Sequence, residues 1–142
     1  MKIAILAGAV AAALTLSTAH ATVRIRADSG GQIGPYLENL VALRSSGERV
    51  VIDGPCFSAC TLVLSIVPGD RVCVTSRAVL GFHGARSLDD RGRFRAEPGA
   101  SRLVLETYPP AVQQWIRRRG GLSSRVLLLR GRELAAMVRS CR

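Results

Sequence analysis

Residues 54–84 constrain the fold more than any other part of this sequence, because two short apolar runs there each border a residue that can do chemistry. Ser58 follows a strand-like run and precedes residues 59–67, which are mostly apolar and typical of a buried helix. His83 follows the strand-like residues 78–80. A hydroxyl at a helix start and an imidazole at a strand end are the parts of a nucleophile and its general base.

The spacing of apolar residues along the first 80 positions predicts an α/β fold. Apolar residues recur at helical spacing between positions 33 and 43, and Gly47 lies just past the end of that helix. The turn at residues 28–31 contains a glycine pair. The order β-α-β-α-β-β is typical of a mostly parallel sheet covered by helices. Strands are predicted over residues 23–26, 49–52, 72–74 and 78–80.

The rest of the chain predicts a more helical part. Residues 84–97 are polar and predict an exposed loop or ribbon. Pro109 and Pro110 separate two helical segments, and Ser123 can cap a short turn. Helices are predicted over residues 100–107, 111–119 and 132–138, and the short turn over residues 123–129.

The N-terminus has the pattern of a secretory signal peptide. Lys2 is followed by an apolar run over residues 3–16 and by an Ala-His-Ala cleavage pattern that ends at Ala21. The run is shorter than the roughly 20 residues of a membrane span. We expect a periplasmic or secreted protein cleaved after Ala21, with one domain over residues 22–142 and no stable membrane span. An uncleaved anchor is the alternative.

Four cysteines lie in the expected exported domain: Cys56, Cys60, Cys73 and Cys141. An even number in an exported chain predicts two disulfides, with three pairings open. The cysteine spacings fit no standard zinc pattern, and the three residues between Cys56 and Cys60 are one too many for a thioredoxin-like redox pair. We therefore predict no metal site and no cofactor.

The expected domain is strongly basic, since it contains no lysine and its many arginines outnumber ten acidic residues. Such a charge can indicate a nucleic-acid or membrane partner. The arginines are scattered and aromatic residues are few, so no specific nucleic-acid partner is predicted.

Three pieces converge if the sheet is parallel, because sites in such sheets gather at the carboxyl ends of the strands. They are Asp28-Ser29-Gly30-Gly31, then Gly54-x-x-x-Ser58-Ala59, then Leu80-Gly81-Phe82-His83. In motif and spacing this series resembles the proteolytic subunit of the Clp protease, in the Clp/crotonase superfamily, and especially its small exported bacterial relatives. The resemblance implies a reduced spiral of short β-β-α units with a helical C-terminal part.

The resemblance also implies roles. Ser58 would be the nucleophile and His83 the general base, while the N–H groups of Gly31 and Ala59 would form an oxyanion hole. The family's third member is an acid after the long helix, but residues 121–132 contain none. The third member is therefore unknown: Glu133 is the nearest candidate, and Glu106, Asp89 and Asp90 are more remote ones.

Three functions remain open from the sequence. The first is a serine hydrolase that acts on a peptide or ester substrate, and a homo-oligomer is open for it. The second is a non-catalytic binding or scaffold protein with a vestigial Ser-His dyad, in which Ser58 is a helix N-cap and His83 an ordinary strand-end residue. The third is a cationic protein that binds the cell envelope through its arginines.

Overall fold

The structure is a computed structural model that describes residues 21–142, so the predicted signal peptide lies outside the described residues except for Ala21. It is a mixed α/β fold, which confirms the predicted class. Short 3-10 helices at Ser58–Leu62 and Gly69–Arg71 connect some of the elements. The strands are β1 Thr22–Ile25, β2 Arg49–Ile52, β3 Pro55–Phe57, β4 Val72–Val74, β5 Val79–Phe82, β6 Arg86–Leu88, β7 Phe94–Ala96 and β8 Leu127–Arg130. The α-helices are α1 Ile33–Ser46, α2 Val63–Ile66, α3 Pro98–Thr107, α4 Pro110–Arg117 and α5 Gly131–Ala135.

The first sheet is parallel, with strand order β1-β2-β4. Its inner face is apolar and buried, since Val50, Ile52, Val72 and Val74 are nearly inaccessible to solvent. Its outer face is more polar and carries Arg24 on β1. Period-2 alternation of this kind is the usual sign of a strand with one buried face.

The second sheet has the order β3-β5-β8. Strands β3 and β5 are parallel, but β8 is antiparallel to β5. The short turn predicted over residues 123–129 is therefore wrong in its second half. The sequence reads Leu-Leu-Leu-Arg there, and only packing shows the alternation: Leu127 and Leu129 are buried, whereas Leu128 is exposed.

The single helix predicted over residues 59–67 is also wrong in form. The segment is a 3-10 helix followed by one turn of α-helix, although it is largely buried as expected. The Thr61 hydroxyl donates a hydrogen bond to the Ser58 carbonyl at 2.7 Å. In an α-helix, the Ser58 carbonyl would accept a hydrogen bond from the N–H four residues later. Here it accepts from the Thr61 hydroxyl, and the first turn has the tighter 3-10 geometry.

The core runs from the inner face of the first sheet to the second sheet and the C-terminal helices. Trp115 and Ile116 of α4 are fully buried, as are Leu80 and Phe82 of β5. The Phe82 ring meets Tyr108 edge-on with centroids 5.2 Å apart, a favoured aromatic geometry. Strand β5, which leads into His83, is thus held by the packing of Phe82 against Tyr108 and Trp115.

The four cysteines form the pairs Cys56–Cys60 and Cys73–Cys141. None of the described cysteines is free. Two disulfides are compatible with an exported protein. Within residues 21–142, no helix has both the length and the apolar character that crossing a bilayer requires.

A buried carboxylate joins β2 to its neighbours. Asp53 follows β2 and accepts hydrogen bonds from Arg77 at 2.6 Å, from Thr75 at 2.7 Å and from Arg24 at 3.0 Å. The Arg77 guanidinium, followed by the Thr75 hydroxyl, holds the pKa of Asp53 well below its ordinary value. The charged form is therefore the one that the folded state stabilises.

We expect stability to fall in acid through Asp53. A carboxyl with a lowered pKa contributes stability that is present above its unfolded pKa of about 3.9 and is lost as the pH falls below that value. Denaturant midpoints measured from neutral pH down to pH ~3 should decline. In Asp53→Asn the midpoint should be lower at neutral pH and should decline less in acid. An unchanged pH dependence in this variant would show that other carboxylates cause the decline.

Candidate active site

Ser58 stands at a sharp turn between β3 and the 3-10 helix. Its φ is +56°, and within residues 21–142 no other non-glycine residue has a positive φ. Left-handed backbone costs an L-residue about 1–2 kcal/mol and is concentrated at functional sites. Phe57 is the N-cap, and its helix has no side-chain cap. The N-cap interpretation of Ser58 is thus wrong, and the hydroxyl is not used for capping.

Contacts on both sides hold this turn, which we call the elbow (residues 56–60). The Phe57 N–H donates to the Asp28 carbonyl at 2.8 Å, and a disulfide joins the two ends, Cys56 and Cys60. The Thr61 hydroxyl has one proton and gives it to the Ser58 carbonyl, so in its 2.6 Å contact with Tyr108 the tyrosine must donate. Burial raises the pKa of Tyr108 to about 12, which keeps it a donor.

The glycine pair lies directly against the elbow. The Asp28 carboxylate accepts the Gly30 N–H at 2.8 Å, an Asx turn, and the Tyr36 hydroxyl at 2.5 Å. Burial, followed by the Asp28 carboxylate, raises the pKa of Tyr36 to about 12. A side chain on Gly30 would lie 2.6 Å from the Ser58 Cβ and 2.9 Å from the Ala59 nitrogen.

The N–H groups of Gly31 and Ala59, the predicted oxyanion-hole donors, differ from the N–H of Gly30 in their hydrogen bonding. The first N–H groups of a helix have no partner inside it, and Ala59 is the second residue of the 3-10 helix. Asp28 takes the Gly30 N–H, but among the described residues no acceptor takes the Gly31 N–H. Neither N–H group therefore has a hydrogen-bond acceptor among the described residues.

His83 is half-buried at the end of β5, and its ring is oriented by the backbone. Its Nδ1 lies 2.7 Å from the Gly84 carbonyl oxygen. A carbonyl can only accept, so the proton of the neutral ring is on Nδ1 and the lone pair is on Nε2. Gly84 is itself held, since its N–H donates to the Ser123 carbonyl at 2.6 Å. This is the tautomer that a general base requires.

The acids proposed from sequence do not contact His83 in the described part of the chain. Glu133 pairs with Arg119 at 2.7 Å. Asp89 pairs with Arg93 and Arg95, each at 3.1 Å. Glu106 and Asp90 are exposed. The partner of the ring is instead the Gly84 carbonyl, which no side-chain pattern in the sequence could reveal.

Ser58 and His83 line the same cleft, together with Gly30 and Gly31. The cleft has a volume of about 570 Å³. No hydrogen bond joins the Ser58 hydroxyl to His83 among the described residues. Such bonds are often long without substrate and tighten in the complex.

The hairpin formed by β6 and β7 makes one wall of the cleft. Leu88 and Phe94 line the cleft but remain 61% and 65% exposed. Arg86 also lines it and stacks on the Phe94 ring at 4.6 Å. The hairpin therefore adds exposed apolar surface, together with one arginine, to the wall of the cleft.

Gly30→Ala tests the contact between the glycine pair and the elbow. Gly92→Ala is a matched control, because both glycines have a positive φ but a side chain on Gly92 would meet nothing within 4 Å. Each variant should lose about 1–2 kcal/mol through its backbone conformation. Gly30→Ala should lose at least about 1 kcal/mol more, because the atoms it meets belong mainly to backbone. Equal losses in urea unfolding would mean that the turn is not packed on the elbow.

Among the residues that sequence reasoning missed, Asp28 had a local signal, since an aspartate two positions before a glycine is typical of an Asx turn. Tyr36, Thr61 and Tyr108 had none, because their roles depend on contacts across the fold.

No family model matches this chain, and no curated protein matches it either.

Proposed function

We propose that the protein is an exported, periplasmic or secreted serine hydrolase, a peptidase or esterase that transfers the acyl group of its substrate to Ser58. The observation that carries the proposal is the positive φ of Ser58 at a strand-to-helix turn beside His83. A nucleophile raised on a strained turn of this kind is a recurring arrangement in hydrolases. The turn places Ser58 in the wall of the cleft that His83 also lines.

In the first step, the Ser58 Oγ attacks the substrate carbonyl carbon while the hydroxyl proton moves to Nε2 of His83. The carbonyl oxygen becomes an oxyanion and accepts hydrogen bonds from the N–H groups of Gly31 and Ala59. Each donor of this type is worth about 2.7–4 kcal/mol in known hydrolases.

In the second step, the tetrahedral intermediate collapses. The bond to the leaving amine or alcohol breaks, and that group takes the proton from Nε2 of His83. Water then attacks the acyl-Ser58 ester and gives a proton to Nε2 of His83. As the carboxylic acid product leaves, Nε2 returns this proton to the Ser58 oxygen.

The Gly84 carbonyl orients the His83 ring in place of the missing acid. It holds the correct tautomer, but as a neutral acceptor it stabilises the imidazolium less than a carboxylate does. We therefore expect slow turnover. We also propose that the fold is a reduced Clp/crotonase spiral, supported by the parallel first sheet and by Ser58 and His83 following the parallel strands β3 and β5.

The second candidate is a binding or scaffold protein on the same fold with a vestigial dyad. The missing Ser58–His83 hydrogen bond favours it. The cleft, with its exposed Leu88 and Phe94, would then hold a peptide without cleaving it.

Labelling with a fluorophosphonate probe separates the two candidates, because the probe reacts covalently with an activated serine. We expect the disulfide-bonded protein to be labelled, and His83→Ala to lose labelling while its circular dichroism spectrum stays the same. A folded wild-type protein that remains unlabelled would overturn the hydrolase and support the binding protein.

A further inference from the structure

A second concave site, which we call the arginine groove, lies on the outer face of the first sheet. Its volume is about 770 Å³. It shares no lining residue with the Ser58 cleft. Five arginines from separate parts of the chain line it: Arg24, Arg49, Arg71, Arg139 and Arg142.

The parallel register places part of this set. Arg24 is paired with Val51, and Val51 with Cys73, so these residues form one row across the face. Thr22 and Arg49 form a second pair, two residues earlier along each strand and therefore on the same face. The sheet itself therefore presents Arg24 and Arg49 side by side.

The C-terminal segment brings two more arginines. It runs along β4, where the Val74 N–H donates to the Arg139 carbonyl and the Cys141 N–H donates to the Val74 carbonyl, each at 2.9 Å. The Cys73–Cys141 disulfide ties it there. The disulfide thus holds Arg139 and Arg142 at the groove.

The charge of the groove is largely uncompensated. Of the five groove arginines, only Arg24 has a carboxylate partner among the described residues: Asp53, which also pairs with Arg77. Arg71 donates to the Arg44 carbonyl, which carries no charge. Like charges gathered around one concavity repel each other and raise the local concentration of anions.

We propose that the arginine groove binds a ligand with two neighbouring phosphate groups, either a soluble diphosphate or the headgroup of a phospholipid. Guanidinium groups match phosphate oxygens with paired hydrogen bonds. A terminal phosphate carries a charge of about −1.5 to −2 and a phosphodiester about −1, so a ligand with two phosphates offsets about two to four of the charges on the four unpaired arginines. Thr22, Thr75 and Ser140 add hydroxyl donors.

The lining also disfavours single-stranded nucleic acid, since proteins that bind it stack successive bases mainly on aromatic side chains and this groove contains none. The site is independent of the proposed hydrolase activity, because the arginine groove and the Ser58 cleft share no lining residue.

The test is calorimetric titration of the disulfide-bonded protein with pyrophosphate and with inorganic phosphate, at matched ionic strength. The groove variant is Arg49→Gln/Arg139→Gln/Arg142→Gln. The control, Arg91→Gln/Arg102→Gln/Arg118→Gln, removes the same charge from exposed arginines that line neither site. We expect pyrophosphate binding to weaken at least ~10-fold in the groove variant and less than ~2-fold in the control.

No binding of pyrophosphate to the wild type, or equal weakening in both variants, would overturn the proposal. Inorganic phosphate that binds as tightly as pyrophosphate would overturn the requirement for two phosphates. Phosphatidylcholine vesicles with and without cardiolipin separate the sources: binding that needs both cardiolipin and the groove arginines supports the headgroup, and pyrophosphate binding alone supports a soluble ligand.

Discussion

Ser58→Ala is expected to abolish fluorophosphonate labelling and to lower ester hydrolysis by at least ~10²-fold. Loss of a nucleophilic serine costs about 10⁶ in a well-studied hydrolase, and loss of the acid that orients the histidine costs about 10⁴. His83 here has the Gly84 carbonyl in place of an acid, so we expect a lower wild-type rate. The fold-decrease caused by Ser58→Ala is therefore smaller.

Ser45→Ala is the matched control for that result. Ser45 is exposed and bonds only the Val41 carbonyl, near the far end of α1 from the glycine pair. It should be labelled like the wild type. Activity that survives in Ser58→Ala, with labelling lost in neither variant, would exclude Ser58 as the nucleophile.

The stability of Ser58→Ala tests whether the Ser58 hydroxyl has a structural role. Alanine has no more freedom than serine at φ +56°, so the free energy of unfolding should change by less than ~0.5 kcal/mol. A large loss of stability would mean that the hydroxyl has a structural role and would weaken the case for catalysis.

Removal of the Cys73–Cys141 disulfide is expected to have the largest effect on stability. The two cysteines are 68 positions apart, and a loop of that length gives a loss of about 4 kcal/mol on the chain-entropy relation. The Cys73→Ser/Cys141→Ser variant should therefore unfold at a much lower urea concentration. It should also bind pyrophosphate more weakly, because the disulfide holds Arg139 and Arg142 at the groove.

The second disulfide is the internal comparison. Cys56 and Cys60 are 4 positions apart, which predicts a loss of only about 2 kcal/mol for Cys56→Ser/Cys60→Ser. This smaller loss should coincide with a larger loss of labelling, since that disulfide spans the elbow. If the short disulfide contributed as much stability as the long one, loop length would not be the main source of either effect.

Local patterns predicted much of the first half of the fold. Strands β1, β2 and β4 and helix α1 follow from period-2 and helical spacing, and Gly47 ends α1 in left-handed backbone as its position indicates. The failures lie in two runs that are mostly apolar. In Leu-Leu-Leu-Arg the alternation of β8 is hidden, because the exposed residue Leu128 is as apolar as its buried neighbours Leu127 and Leu129. Residues 58–62 give no periodic signal because most of that segment is buried.

For the candidate site, the sequence by itself determined the residue types and their order: a glycine pair, a serine and a histidine, each placed where a strand ends. The tertiary structure decided the rest, because the deciding partners are distant in the chain or belong to the backbone. Thr61 reaches Tyr108 across the core, Glu133 pairs with Arg119 instead of His83, and a carbonyl orients the imidazole. Likewise the scattered arginines share a groove only because strand register and a disulfide align segments far apart in sequence.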